Sequence, residues 1–428
     1  MKYTHFKAVF AALTVATLLF FPFGELSALD VGSNMNSRSV VRVDDTSFEN
    51  LDPSLRNTVS AWVRHRPVVS SSEPTGRFLF ESSVTNLLDM NDADEWESQF
   101  VFDVDVLRLD GTFPQWGPPG ALVRLSAGRF PLSEPSGLVF SDRVDGASLT
   151  FDFPDFSMVF AGGYTGLLAG ENSGVVMTSS DLVDASDSET LTAPNRLLAT
   201  AHTTFPEAFG TQSVDAGVLA QWDQRSEFDA TGEKLDSQYL FAAIDGPFGE
   251  SMYYDAAFAT SLQQRSPADV SEPDGLADAE FGVGLGALLR GRYYLGASDS
   301  SVITAEGRFG SGDGDTLTAF TPVTDPSLNL LNPVSGEDSL ALMLDYAWRP
   351  FAGEPGSKAR SLELSAYGAV STNADPTAAG SYQGTEAGTR VTYRPLSDLG
   401  GRLWLGTYMP SDIDNSEFIG RIEFSSSF

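Results

Sequence analysis

The chain alternates. From Leu340 the even positions read Leu340, Leu342, Leu344, Tyr346 and Trp348, while the odd positions between them read Ala341, Met343, Asp345, Ala347 and Arg349. A period of two is the geometry of a β-strand, whose successive side chains point to opposite faces. The same split sets Phe100, Phe102, Val104 and Val106 against Gln99, Val101, Asp103 and Asp105. It sets Phe281, Val283, Leu285, Ala287 and Leu289 against Glu280, Gly282, Gly284, Gly286, Leu288 and Arg290. Val214, Ala216, Val218, Ala220 and Trp222 repeat it, and helical periodicity is nearly absent beyond residue 28.

Some 17 segments of roughly 10 to 12 residues carry this pattern, and a weaker one over residues 37–48 would make about 18, lengths that suit tilted strands crossing a bilayer. The expected fold is all-β, a transmembrane antiparallel up-and-down β-barrel of roughly 16 to 18 strands. Short connections such as 153–156, 245–249, 296–300 and 395–400 alternate with long ones at 166–192, 263–277 and 310–337. If the last strand ends in the periplasm, counting backward puts all those short turns on the periplasmic side. Aromatic residues crowd them, as an interfacial girdle requires: Phe153 and Phe156, Phe205 and Phe209, Trp348 and Phe351.

Composition narrows the partners. The 428 residues carry 58 acidic and 26 basic side chains, a net charge of -32, and no cysteine. Nucleic acid and anionic lipid surfaces recruit Lys and Arg, so neither is an expected partner. Disulfides and thiolate metal sites are excluded. Lys2 and Lys7 precede the apolar run Ala8–Phe23, and Leu26-Ser27-Ala28 follows. That order reads as a cleaved export signal over residues 1–28, leaving a barrel over 29–428. The run contains Pro22 and is shorter than the roughly 20 residues that span a bilayer.

The less apolar face carries the candidate chemistry. It places Asp103, Asp105, Arg124, Glu280, Arg290, Glu306, Arg308, Asp345, Arg349, Glu386, Arg390, Arg421 and Glu423 toward the interior. A dry core does not tolerate so many ions, because each unpaired buried charge costs several kcal/mol. A water-filled lumen does, and these residues are the expected pore lining of a passive diffusion channel for small polar solutes or ions. Any one of them taken alone reads more readily as part of a solvated ion-pair ladder bracing the wall, and the pore reading concerns the ensemble. Gly282, Gly284, Gly286 and Gly388 share the inner face and are expected to leave room for solvent. One long loop, 166–192 or 310–337, is expected to narrow the bore. Residues 87–97, 166–192, 263–278 and 310–338 hold 19 acids and Arg265 as their single base, which predicts a weak, salt-dependent preference for cations. The alternative is a surface adhesin or binding barrel with a closed lumen.

Enzyme chemistry has little to stand on. After residue 28 the histidines are His65 and His202, both near periplasmic turns, and no serine partner is evident for either. Gly312-Asp313-Gly314-Asp315-Thr316 offers hard oxygen ligands but lacks the full ligand series of a calcium loop and its closing Glu, and reads as a plain loop. No glycine-rich phosphate loop precedes a helix. No cofactor and no metal is implied.

The chain finishes Glu417-Phe418-Ile419-Gly420-Arg421-Ile422-Glu423-Phe424-Ser425-Ser426-Ser427-Phe428. This resembles the closing strand of bacterial outer-membrane β-barrel proteins. The resemblance implies residence in outer-membrane lipid, and recognition of Ile422, Phe424 and Phe428 by the barrel-assembly machinery. Within that class the chain looks most like porins. Gly128-Arg129-Phe130 followed by Asp142-Arg143-Val144-Asp145-Gly146 is similar to a glycine-arginine strand end and an aspartate-glycine strand start of porin-type barrels. Neither an appended periplasmic domain nor a large plug is expected.

Overall fold

The computed structural model describes residues 29–44, 50–65, 74–90, 96–114, 116–176, 178, 181, 191–225, 233–267, 276–296, 300–313, 317–324, 338–353, 356–374, 382–411 and 416–427. The export signal read at residues 1–28 and the terminal Phe428 lie outside them.

Alternation has become strand throughout. In chain order the strands are β1 (Leu29–Asp44), β2 (Asn50–His65), β3 (Thr75–Met90), β4 (Trp96–Phe113), β5 (Leu122–Ser133) and β6 (Ser141–Asp152). They continue as β7 (Ser157–Tyr164), β8 (Arg196–Phe209), β9 (Gln212–Asp223), β10 (Glu233–Phe248), β11 (Met252–Pro267) and β12 (Glu280–Leu295). The last six are β13 (Ser301–Gly310), β14 (Ser339–Trp348), β15 (Glu363–Thr372), β16 (Tyr382–Leu396), β17 (Leu399–Pro410) and β18 (Glu417–Ser427). Each pairs antiparallel with its sequence neighbours, and β1 pairs β18 from Asn34↔Ser427 to Asp44↔Glu417, so the 18-stranded sheet closes on itself. Closure removes the free edges that a bilayer cannot solvate.

The upper of the expected strand counts is the observed one. The weak segment at 37–48 is β1, which starts earlier, at Leu29. Its inner face carries Arg38 and Arg42, because residues directly opposite one another share a face and Arg38 stands opposite Glu423.

Outer positions are large and apolar. In β14, Leu340, Leu342, Leu344, Tyr346 and Trp348 are all exposed, while Ser339, Ala341 and Ala347 are buried. The register of β4 departs from strict alternation. Glu81 faces Val106 but Ser82 faces Val104, so Asp105 is the extra residue of a β-bulge. Val106 therefore falls in register with the inward Glu81, and the outer face continues through Leu107 and Leu109. At the short-turn rim Phe153 stacks on Phe156 at 4.5 Å, and Phe156 meets Phe205 at 5.7 Å.

Candidate pore and constriction

The interior has two unlike halves, and a single glycine begins the difference. Gly128 on β5 has φ of 115°, and a Cβ there would lie 2.0 Å from the carbonyl oxygen of Leu107. Only glycine allows β5 to approach β4 so closely and then turn away. Above it the β5–β6 hairpin bends into the barrel. One of its faces presents Phe130, Leu132 and Val144, and its loop adds Leu138, Val139 and Phe140. These six pack against inward residues of β8 to β12: Leu198, Leu219, Tyr239, Phe241, Ala259 and Leu288. The loop is held in shape by the buried Glu134, whose carboxylate accepts hydrogen bonds from the backbone N–H groups of Leu138 (2.8 Å) and Val139 (2.9 Å).

Residues 317–324 of the connection between β13 and β14 complete this packed half. Phe320 joins the same apolar cluster. Tyr239 donates its hydroxyl to the Thr321 carbonyl (2.6 Å), and Gln263 donates to the Ala319 carbonyl (3.0 Å). The Val323 and Thr324 N–H groups both donate to the Val139 carbonyl, and Val176 N–H donates to the Val323 carbonyl. Three connections are thereby zipped together inside the barrel. The expectation that Gly282, Gly284 and Gly286 leave room for solvent is overturned. A Cβ on them would meet Thr318 at 2.3 Å, the Phe320 Cα at 2.8 Å and the Phe320 ring at 2.8 Å. Their missing side chains admit a loop. Gly388 is filled by the Tyr367 side chain, whose hydroxyl and ring would lie 2.7 and 2.8 Å from an added Cβ.

The other half is ionic. Asp103 on β4 accepts from Arg143 Nη1 (2.9 Å), from Arg129 Nη1 (3.3 Å) and from Asn172 Nδ2 (3.0 Å), while Asp105 accepts from Arg143 Nη1 (2.8 Å). Asn172 belongs to the long loop between β7 and β8. Its carbonyl oxygens tie that loop to two arginines, with Arg56 of β2 bonding the side-chain oxygen and Arg143 the backbone one. Around the wall, Arg38 lies in the fields of Arg42, Arg56, Arg421 and Glu423. Arg421 and Arg402 both pair with Glu423. Arg421, Arg390 and Arg402 surround the buried Trp404 ring at 4.9, 5.2 and 5.9 Å, within cation–π range.

The residues read from sequence as inward are not one site. Asp103 and Asp105 stand at the constriction. Arg290, Glu306 and Arg308 form a wall cluster with Asp255, the Arg290–Glu306 and Arg308–Glu306 contacts being 2.6 and 2.7 Å. Asp345 pairs with Arg390 at 3.4 Å, and buried Glu386 accepts from the Tyr367 hydroxyl. Arg124 with Asp152, and Arg349 with Glu363, sit at the short-turn rim with their arginines about half exposed. Glu280 is exposed at the opposite end of β12. Arg38, Arg42, Arg56, Arg129, Arg143 and Asn172 were absent from the sequence inventory. The signal for Arg129 was present in the Gly128-Arg129 and Asp145-Gly146 pairs, which the ladder places directly opposite.

Asp181 is not a free mouth charge. With Asp223 it binds Arg196 and Arg225 in a closed ring of four ions, at 2.5, 2.9, 3.2 and 2.6 Å, all with side chains at most 6% exposed. The ring pins the loop after β7 to the ends of β8 and β9. His202 faces inward near Phe241, in the fields of Asp215 and Glu134, and no group of three or more metal-ligating side chains is found among the described residues. Of the Gly312–Thr316 motif, Asp313 accepts from the Ala319 N–H, and 314–316 lie outside the described residues.

A closed 18-stranded barrel, apolar outside and ionic along one half of its interior, with loops turned inward, has the fold of porin-type barrels. The chain is similar in fold to OccK5 (OpdH) of Pseudomonas aeruginosa, with 13% identity over 93% of this chain and 98% of that one, at a TM-score of 0.58. It is similar to a BenF-like porin from Pseudomonas fluorescens Pf-5, with 11% identity over 95% and 100% of the two chains, at 0.60. A third likeness is to Pseudomonas aeruginosa OpdK, solved with vanillate, with 10% identity over 93% and 98%, at 0.55. No family model and no curated protein matches the sequence.

Proposed function

We propose that the protein is an outer-membrane channel for passive diffusion of small polar solutes, and that permeation follows the ionic half of the bore, past β1 to β4 and β14 to β18. The observation that carries this is the asymmetry of the lumen: water and ions have no path through the packed Phe241–Phe320 cluster, and a charged wall faces it. Porin neighbours of the same fold support the reading. The protein acts as a channel and not as an enzyme. Residues 1–28 direct export, and Ile422, Phe424 and Phe428 serve the assembly machinery. The exposed outer positions of Ile422 and Phe424 support that role. Deleting Phe428 lowers insertion into the outer membrane while leaving export intact, as fractionation of cells checks.

Small organic anions are the proposed solutes. Arg38, Arg42 and Arg56 give the constriction a basic flank, and an aromatic carboxylate such as the vanillate seen with OpdK supplies the complementary charge. The acidic mouth opposes this over a Debye length of about 8 Å at physiological salt and about 30 Å at 0.01 M. Reversal potentials across a KCl gradient therefore show anion preference in concentrated salt, drifting toward cations on dilution. Cation preference at every ionic strength would contradict the basic flank. Conductance in a planar bilayer is the first test, since a folded barrel that carries no current would instead be a closed surface-interaction barrel.

A further inference from the structure

Between β4 and β5 part of the barrel wall is not a β-ladder. Pairing of β4 with β5 stops at Leu107↔Arg129, yet β4 runs on to Trp96, paired on its other side with β3 as far as Met90↔Trp96. Residues 96–106 therefore present an edge that has no β5 partner. Phe113 stacks on Trp116 at 4.1 Å and marks the short-turn rim. From there to Leu107 is roughly 20 Å of strand, or about 15 Å of height at a tilt of ~40°, against an apolar band about 25 Å tall. The edge begins inside hydrocarbon, where an unpaired backbone polar group is costly.

Side chains complete the wall. Arg129, with its side chain 11% exposed, donates to the Val104 carbonyl on the β4 edge (2.9 Å) and to the Leu167 carbonyl in the loop after β7 (2.8 Å). It also donates to Asp145 (2.7 Å) and to Asp103 (3.3 Å). Asp103 is shared with the constriction, where it holds Arg143 and Asn172. One ion cluster thus stands between the bore and the outside. On the outside lies a cleft of about 430 Å³, within the range of small-molecule sites, lined by Phe102, Leu107, Leu167 and Leu191 together with Arg129 and Asp145. Leu167 and Leu191 are 62% and 71% exposed, and the cleft is continuous with the lipid-facing belt through Leu107 and Leu109.

We infer that this seam is a lateral portal, through which an anionic amphiphile with an apolar tail passes between the outer leaflet and the constriction. The inference rests on the channel reading. The ligand chemistry follows from the two faces of the seam: the leucine and phenylalanine side chains take a hydrocarbon tail, and the guanidiniums of Arg129 and Arg143 take an anionic head. Opening breaks no ladder hydrogen bond, because the arriving head replaces a carbonyl or a carboxylate as partner of Arg129.

The absence of native cysteine makes a clean test. Val104→Cys and Leu167→Cys, combined, are bridged by a short bifunctional thiol reagent with a reducible link, and single channels are recorded in planar bilayers. Current block by a long-chain alkyl sulfonate added to the membrane is compared with block by water-soluble ethanesulfonate. Bridging slows the long-chain block about tenfold, a size typical of on-rate changes within one site, and reduction restores it. Block by ethanesulfonate is unchanged. Equal long-chain block with and without the bridge, or equal loss of both kinds of block, overturns the portal. Absence of ionic current in the unbridged protein removes the channel reading and the portal with it.

Discussion

The two halves of the interior stand behind walls whose outer positions are alike apolar, and they differ on the inside. Along β8 to β12 the upper inward positions are Leu198, Leu219, Tyr239, Phe241, Ala259 and Leu288, and they bind an inturned hairpin and loop. Along β1 to β4 and β14 to β18 they include Arg38, Arg56, Thr58, Asp103, Asp345, Arg390 and Arg421, and the aromatic ring beside the last two is Trp404 of the wall itself. The lesson is that barrel diameter does not set bore. An 18-stranded wall is wide, and apolar inward residues on one arc recruit loops that reduce it to an off-centre passage.

The largest expected effect comes from breaking the packed half. Phe320→Ala removes a ring that is 2% exposed, and Phe-to-Ala changes in cores cost about 3 to 5 kcal/mol. The loop over residues 317–324 then loses its anchor, and single-channel conductance rises toward that of an unobstructed barrel. Unchanged conductance with normal folding would mean that the packed half does not limit flow.

Next in size is the contrast between the two faces of one strand. Leu344→Arg places a cation on the lipid face, at a cost of roughly 2 to 4 kcal/mol near the midplane, whereas Asp345→Arg faces water and mainly alters permeation. Folding yields in liposomes separate them, and equal yields would show that the inside and outside of β14 have been confused. A smaller effect attends the loop latch. Asp181→Asn leaves Arg196 and Arg225 with Asp223 as their remaining anion in the ring, and the freed loop produces noisier open-channel current without loss of the barrel. Smallest in stability is Arg56→Ala, under about 1 kcal/mol for a half-exposed contact, yet it lowers anion over cation permeability by removing part of the basic flank.

How much of this was legible follows from where each signal resides. Strand number, closure and the outer belt are local: Leu340 to Trp348 reveal their faces without reference to any other residue. The lumen is not local. Gly282, Gly284 and Gly286 look like empty space in one dimension, and only the return of Phe320 from a connection some 35 residues later fills it. The bulge at Asp105 hides in an unbroken alternation, because it is defined by the partner strand. The start of β1 was obscured because Ser33, Ser37 and Ser39 interrupt its apolar face, and in a strand so weakly patterned the facing of Arg38 and Arg42 was not legible. Arg129 and Asp145 were visible as a motif, but their work at a wall seam depends on Gly128 turning β5 away.

Confinement of flow to the ionic half can be read directly in a cysteine-free chain. Ser60→Cys on β2 faces that half, opposite Ser83, while Ser261→Cys on β11 is fully buried beneath Phe320 and Gln263. A small charged methanethiosulfonate is applied to single channels of each variant. Modification is expected to step the current down for Ser60→Cys and to leave Ser261→Cys untouched. Fast block through Ser261→Cys with none through Ser60→Cys would contradict the division of the bore.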